Sequence, residues 1–219
     1  MRITTPRLLL REYAADDLPA MRAYNAHPGF REFHGPGEGE PEQVRALLEL
    51  FTGWAAEVPR LNYQLAITPR GAPAEVIGSA GLRGAGLPAG EAELGLELAA
   101  DAWGRGYATE VAAALLDAGF GTLGLHAVRA STVSANERAT GLVRRLGFER
   151  VRSVEGAGWL SARGWTEGGF RVSITDAGRE LLVSLDGKLE ASIRGHLAGI
   201  EPAKLRVVVD VMERLRTTG

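Results

Sequence analysis

Residues Ala92 to Phe120, AELGLELAADAWGRGYATEVAAALLDAGF, constrain the fold more tightly than any other stretch of the chain. Leu94, Leu96 and Leu98 alternate with Glu93, Gly95 and Glu97, which is the period of a strand with one apolar face. Beyond Tyr107 the period becomes helical, with Val111, Leu115 and Phe120 inward and Gly121 as the stop. Between the two lies Trp103-Gly104-Arg105-Gly106-Tyr107-Ala108. A connection between strand and helix needs one glycine at most. Two glycines and a small alanine ahead of a helix suggest that something approaches the backbone there. A helix N-terminus leaves its first four N–H groups unsatisfied and carries a partial positive charge, so an anion is the natural ligand.

Three phosphate loops compete for this turn. The GxxxxGK[ST] pattern is absent. The GxGxxG dinucleotide fingerprint fails because Thr109 follows where its last glycine should stand, and the acidic residue expected about twenty positions on is missing. The third reading asks only for backbone N–H groups at a helix N-terminus holding a pyrophosphate, with Arg105 adding charge at the rim. The turn by itself fits a ligand-free connection equally well.

Elsewhere, RLLLREY reads as a first strand and AADDLPAMRAYNA as a helix. HPGFREFHGPGEGEPE is a loop, followed by a helix carrying Val44, Leu47, Leu48 and Phe51 on one face. LNYQLAIT and EVIGSAGLRG are strands joined by the RGAPA hairpin loop. HAVRASTVSA is a strand, NERATGLVRRLGF a short helix closed by Gly147, and ERVRSVEGAGWL with GFRVSIT a last pair of strands.

A formal charge of -2 gives no reason to expect a nucleic-acid or anionic-membrane partner. The absence of cysteine excludes disulfides, thiolate metal sites and a cysteine nucleophile. The only apolar run near the start is Leu8-Leu9-Leu10 between Arg7 and Arg11, so the expectation is a soluble, cytoplasmic protein without signal peptide or membrane span. The histidines show no metal-ligand spacing, and no metal is expected.

The order of these pieces resembles the GNAT acetyltransferase superfamily. The turn fits its Gln/Arg-x-x-Gly-x-Gly/Ala pattern, with Trp103 in place of the usual first residue. The opening TPRLLLREYAADD, the EVIGSAGL strand, ELGLELAADAWGRGYATE and SANERATGLVRRLGF are similar, in the same order, to the branch containing ribosomal-protein alanine N-acetyltransferases. The likeness covers about residues 1–175 and implies an α/β GNAT fold, a mixed and mostly antiparallel twisted sheet flanked by helices. It also implies acetyl-CoA as co-substrate. The backbone of Leu96, Glu97 and Leu98 would pair with the pantetheine arm. The N–H groups of Trp103, Gly104, Arg105, Gly106, Tyr107, Ala108 and Thr109 would hold the pyrophosphate. Asn136 would contact the cofactor near the arm, and Arg145 would lie near its nucleotide end. Asn136 is equally suited to be a plain helix cap.

Acetyl transfer to an amine needs a neutral nitrogen, a polarised thioester and near-attack geometry, with a carboxylate to take the proton. Glu93 is the first choice for that base and Glu97 the second; a half-exposed Glu93 in a salt bridge is as good a reading. The tyrosine that many relatives use as general acid corresponds to Val143, and the serine three residues after Asn136 is Ala139 with Thr140 adjacent. Either the acid comes from elsewhere, Tyr107 being one choice, or the thiolate leaves unassisted, or catalysis is weak. Tyr24, Asn25, His27, Arg31, Phe33 and His34 gather where an acceptor, a small amine or a protein N-terminus, would enter.

From Asp176 the texture changes. FRVSITDAGRELLVSLDGKLEASIRGHLAGIEPAKLRVVVDVMERL is similar to the end of a MarR-family regulator, where two helices dimerise, but the DNA-reading segment that would precede it is absent. The expected organisation is an acetyltransferase domain over residues 1–175 and a C-terminal helical extension over 176–219, which forms a homodimer or folds back on its own sheet. An acetyl-CoA-dependent N-acetyltransferase is the leading reading. A non-catalytic acyl-CoA-binding sensor is the alternative, and a DNA-binding regulator is disfavoured by charge.

Overall fold

The alternation of the strands and the helical stripes assemble into one sheet with helices on both faces. The computed structural model describes residues 1–155 and 158–173. The strands are β1 (Ile3–Thr4), β2 (Leu8–Arg11), β3 (Asn62–Pro69), β4 (Gly78–Arg83), β5 (Glu91–Leu98), β6 (Ala127–Val133), β7 (Glu149–Glu155) and β8 (Thr166–Ser173). The helices are α1 (Leu18–Asn25), α2 (Pro28–Arg31), α3 (Pro41–Ala56), α4 (Tyr107–Asp117), α5 (Glu137–Arg145) and α6 (Gly158–Ser161). The order across the sheet is β1-β2-β3-β4-β5-β6-β8-β7. Every neighbouring pair is antiparallel except β5 with β6, which is parallel because α4 carries the chain back between them.

The two faces bury different cores. Leu65 and Ile67 of β3, Leu82 of β4 and Leu94 and Leu98 of β5 pack against Val111, Ala112 and Leu115 of α4. On the opposite face Ala66 meets Met21 and Tyr24 of α1 and Val44, Leu48 and Phe51 of α3. Leu94 therefore points to the α4 side, and Glu93, Gly95 and Glu97 point to the face that α1 and α3 share.

Three local details differ from the sequence reading. The α-helix of α4 ends at Asp117, and a π-turn over Ala118–Thr122 carries the chain past Gly121, with the Leu123 N–H donating to the Ala118 carbonyl at 2.9 Å. The loop after α1 contains α2, and the glycine-rich connection between the last strands contains α6. Gly147 does close α5: it sits at φ 81°, and the Phe148 N–H returns to the Val143 carbonyl at 3.0 Å. Among the described residues no helix is long and apolar enough to cross a membrane. The regulator-like segment from Asp176 onward lies outside the described residues.

Candidate active site

The site begins where two strands part. The Ala99 N–H donates to the Ile77 carbonyl at 2.8 Å, and the His126 N–H donates to the Gly90 carbonyl at 2.8 Å. With the β4–β5 register, this directs the peptide groups of Glu93, Gly95 and Glu97 to β4 and those of Leu94, Leu96 and Leu98 to the β6 side. The ladder with β6 covers only Glu91–Glu93 against Ala127–Arg129, while β6 continues on β8 as far as Val133. The Glu93–Arg129 pairing uses the Leu94 N–H, so the Leu94 carbonyl and the peptide groups of Leu96 face a cleft with no strand opposite, which calls for an extended, amide-bearing partner. The Leu98 carbonyl accepts from Trp103 Nε1 at 2.8 Å, so the unusual tryptophan ties the end of β5 to the glycine turn. Glu97 does not offer its backbone to this cleft, because its peptide groups pair with Ser79.

The turn lies at the end of the cleft. Gly104 and Gly106 have φ of 74° and 76°, a left-handed conformation that costs other residues roughly 1–2 kcal/mol. Among the described residues the N–H groups from Gly104 to Thr109 have no acceptor, and a Cβ built on Gly104 meets no atom within 4 Å. The cradle is therefore open and lined with donors. A brace fixes it. Glu110 Oε1 accepts from Thr5 Oγ1 at 2.6 Å and from the Arg7 N–H at 2.9 Å, and its Oε2 accepts from Arg7 Nε at 2.7 Å. Arg7 Nη1 also donates to the Arg105 carbonyl at 2.8 Å, and the guanidinium lies 4.6 Å from the centre of the Tyr107 ring. Arg105 itself is exposed. Sequence reasoning missed the role of Glu110. The available signal was the pairing of TPR at the start of the chain with GYATE after the turn.

The far wall of the cleft is α5. Asn136 Oδ1 accepts from the Ala139 N–H at 3.0 Å, so it caps the helix from its position beside the cleft. Arg138 stacks on the Trp103 ring with 4.1 Å to its centre, joining α5 to the turn. Arg145 is exposed, lies next to Gly141, and is seven residues on from Arg138, two turns along the same face. Val143 is only 6% exposed and belongs to the α4-side core, so an aliphatic contact occupies the place where relatives carry a tyrosine. Tyr107 stands at the first residue of α4 under Arg7, at the turn end of the cleft, away from β5's acids.

On the α1/α3 face, a cavity of about 390 Å³ opens beside β5. Glu97, Glu38, His34, Arg83 and Gln64 line it, with Phe51 among its apolar walls. Glu97 accepts a hydrogen bond from Tyr24 Oη at 3.1 Å. Burial pushes the Glu97 carboxyl up and nearby Glu38 adds to this, while His34, the Tyr24 hydrogen bond and Arg83 oppose it; the net shift is upward. Burial, then the charge of Glu97, raise the Tyr24 hydroxyl well above its ordinary value, so it stays a donor. Glu93 lies outside the cavity lining, 3.6 Å from Arg83 Nη2 and 3.4 Å from Ser131 Oγ. Of the loop residues expected around an acceptor, Tyr24, Asn25 and His34 are found here. The other three are engaged elsewhere: His27 accepts from the Gly29 N–H, Arg31 pairs with Glu40, and Phe33 packs on Trp165.

Comparison with known proteins agrees with this geometry. The acetyltransferase (GNAT) domain family matches residues 7–149. The N-acetyltransferase YoaA of Bacillus subtilis is 26% identical over 149 residues, covering 68% of this chain and 82% of its own. A GNAT-family acetyltransferase from Bacillus anthracis superposes with a TM-score of 0.66 at 20% identity, over 79% of this chain and 98% of that one. Mycobacterium smegmatis RimJ, solved in complex with CoA-disulfide, superposes with a TM-score of 0.64 at 17% identity, over 85% and 93% of the two chains. The open edge and the unclaimed N–H groups fit a pantetheine arm and a pyrophosphate. The chain belongs to the GNAT acetyltransferase family, as an N-acetyltransferase whose acetyl donor is acetyl-CoA.

Proposed function

We propose that the protein acetylates a primary amine held in the cavity beside Glu97. In this reading the pyrophosphate of acetyl-CoA rests on the N–H groups of residues 104–109. The arm then follows the open edge at the Leu94 carbonyl, Leu96 and the Leu98 N–H, and Arg145 stands toward the nucleotide. The observation that carries the reading is proximity: the cavity that holds Glu97 opens beside the same strand whose unpaired edge starts at the glycine cradle.

Glu97 is the better base of the two acids. It faces the cavity, and its raised pKa brings its proton affinity nearer to that of the amine it serves. Tyr24 fixes its rotamer. The amine nitrogen bonds to the acetyl carbon as the C–S bond breaks; one nitrogen proton passes to Glu97, directly or through water. The leaving sulfur takes its proton from water, since Val143 supplies no hydroxyl. The sensor alternative is not favoured by the match to an acetyltransferase family.

Free-thiol release tests this. Glu97→Gln is expected to lower kcat by about 10²–10⁴, with acetyl-CoA affinity by calorimetry unchanged. The wild-type kcat/KM should rise with pH along an acidic limb set by Glu97, whose base form appears only above its elevated pKa. Glu93→Gln should cost only a few-fold. Undiminished turnover in Glu97→Gln would exclude Glu97 as the base.

A further inference from the structure

The floor of the cavity has an unusual construction. Gln64, Gly81 and Gly95 lie side by side on three neighbouring strands. A Cβ on Gly81 would sit 2.7 Å from Gln64 Oε1, and a Cβ on Gly95 would sit 2.8 Å from Arg83 Nη2. Two polar side chains therefore lie flat over two paired glycines, where any larger residue would displace them. Gln64 is 5% exposed; its Nε2 donates to Ser79 Oγ at 2.8 Å, and its Oε1 has no partner. A buried amide oxygen left without a donor is destabilising unless something supplies one. The Arg83 guanidinium makes no hydrogen bond among the described residues, and its one ion pair, with Glu93, is a loose 3.6 Å. Its five N–H donors are thus largely unspent.

Resting on the acceptor site proposed above, we propose that the substrate is an amine of the amino-acid type, with a carboxylate on the carbon next to the nitrogen. Its nitrogen donates to Gln64 Oε1 and faces Glu97, and its carboxylate accepts from Arg83. The spacing suits this. Glu97 and Gly95 are two residues apart on one strand, about 7 Å, and the strands of Gly95 and Gly81 are about 4.8 Å apart, so one short zwitterion spans both groups. A polyamine would instead have to seat its second ammonium by Glu38, which shares the lining with Arg83, and would leave the guanidinium without an acceptor from the substrate. The cavity volume of about 390 Å³ also suits a small molecule.

The test is thiol release with L-amino acids, each paired with its own carboxamide, together with spermidine and a C-terminally amidated tripeptide. Wild type and Arg83→Gln are compared, with acetyl-CoA binding by calorimetry verifying that the variant is folded. The ratio of kcat/KM for acid over amide in the wild type should exceed the same ratio in Arg83→Gln by about 10- to 100-fold, the worth of a charge-assisted hydrogen bond. Dividing one ratio by the other cancels the different basicity of the two amines. The loss should fall mainly on KM for the free acid. Equal ratios in the two proteins, or spermidine or the tripeptide as the best acceptor, would overturn the proposal while leaving the transferase intact. Release from no amine, or full activity in Glu97→Gln, would instead overturn the acceptor site beneath it.

Discussion

Glu110 is the residue that ties the glycine turn to the start of the chain. Its carboxylate is 13% exposed and holds Thr5 and Arg7, while Arg7 reaches on to the Arg105 carbonyl. Glu110→Ala removes the brace. Arg7 is half-exposed and recovers hydration, so the stability cost should be modest, about 1–2 kcal/mol by thermal melting. Acetyl-CoA affinity should fall by about tenfold, the effect of 1.4 kcal/mol lost from a loosened cradle. Unchanged affinity in calorimetry would mean that the turn holds its shape unaided. At this scale the sequence shows only part of the site. Strand alternation places Glu93 and Glu97 on one face. What separates them is burial by elements far along the chain: Tyr24 of α1, and His34 and Glu38 of the loop that follows.

At the scale of elements, the glycine turn was legible because a chemical need for backbone access leaves a direct mark on residue choice. The cleft was not. β5 and β6 each carry the expected alternation, and nothing in either announces that their ladder stops at Glu93 opposite Arg129. Pairing is a relation between strands, and β6 draws its continued partner from β8, about forty residues on. The helix α5 shows a different limit. Its cap at Asn136 and its stop at Gly147 follow from local chemistry. That Val143 faces the core is settled by packing against Phe148, Phe170 and their neighbours in the same cluster. Restoring the tyrosine of relatives should therefore fail here. Val143→Tyr forces a ring and a hydroxyl into a packed position, costing about 1–3 kcal/mol in denaturant unfolding without raising kcat. A gain in kcat would show that the side chain finds the cleft after all.

Across the whole molecule, carboxylates with opposite shifts shape the response to pH: Asp17, like Glu12 and Glu91, is lowered, and Glu97 is raised. Burial alone would raise Asp17, but its paired hydrogen bonds from Arg11 at 2.7 and 2.8 Å and one from the Ala14 N–H hold it below the ordinary carboxylate range. Its contribution is present above the unfolded pKa and is lost as pH falls through the depressed folded value. Glu97 has the opposite sign. Its folded pKa is raised, so its contribution is complete below the unfolded value and is lost as pH rises through the folded one. Glu97→Gln should then melt higher than wild type near neutral pH, with the difference vanishing at about pH 4, where the unfolded carboxyl is itself mostly protonated. A difference independent of pH would mean that Glu97 carries no such penalty. A base buried for its chemistry would in this way make the fold less stable where the enzyme works.

The brace at Glu110 joins residues 103 and 105 positions apart. Closing so long a loop carries an entropic cost that local hairpins and helices do not meet. The contacts that fix the turn are made only when β2 is docked and Arg7 lies beside α4. If the coenzyme is held at this turn as proposed, the grip depends on the docking of β2 as well as on the helix that bears the motif.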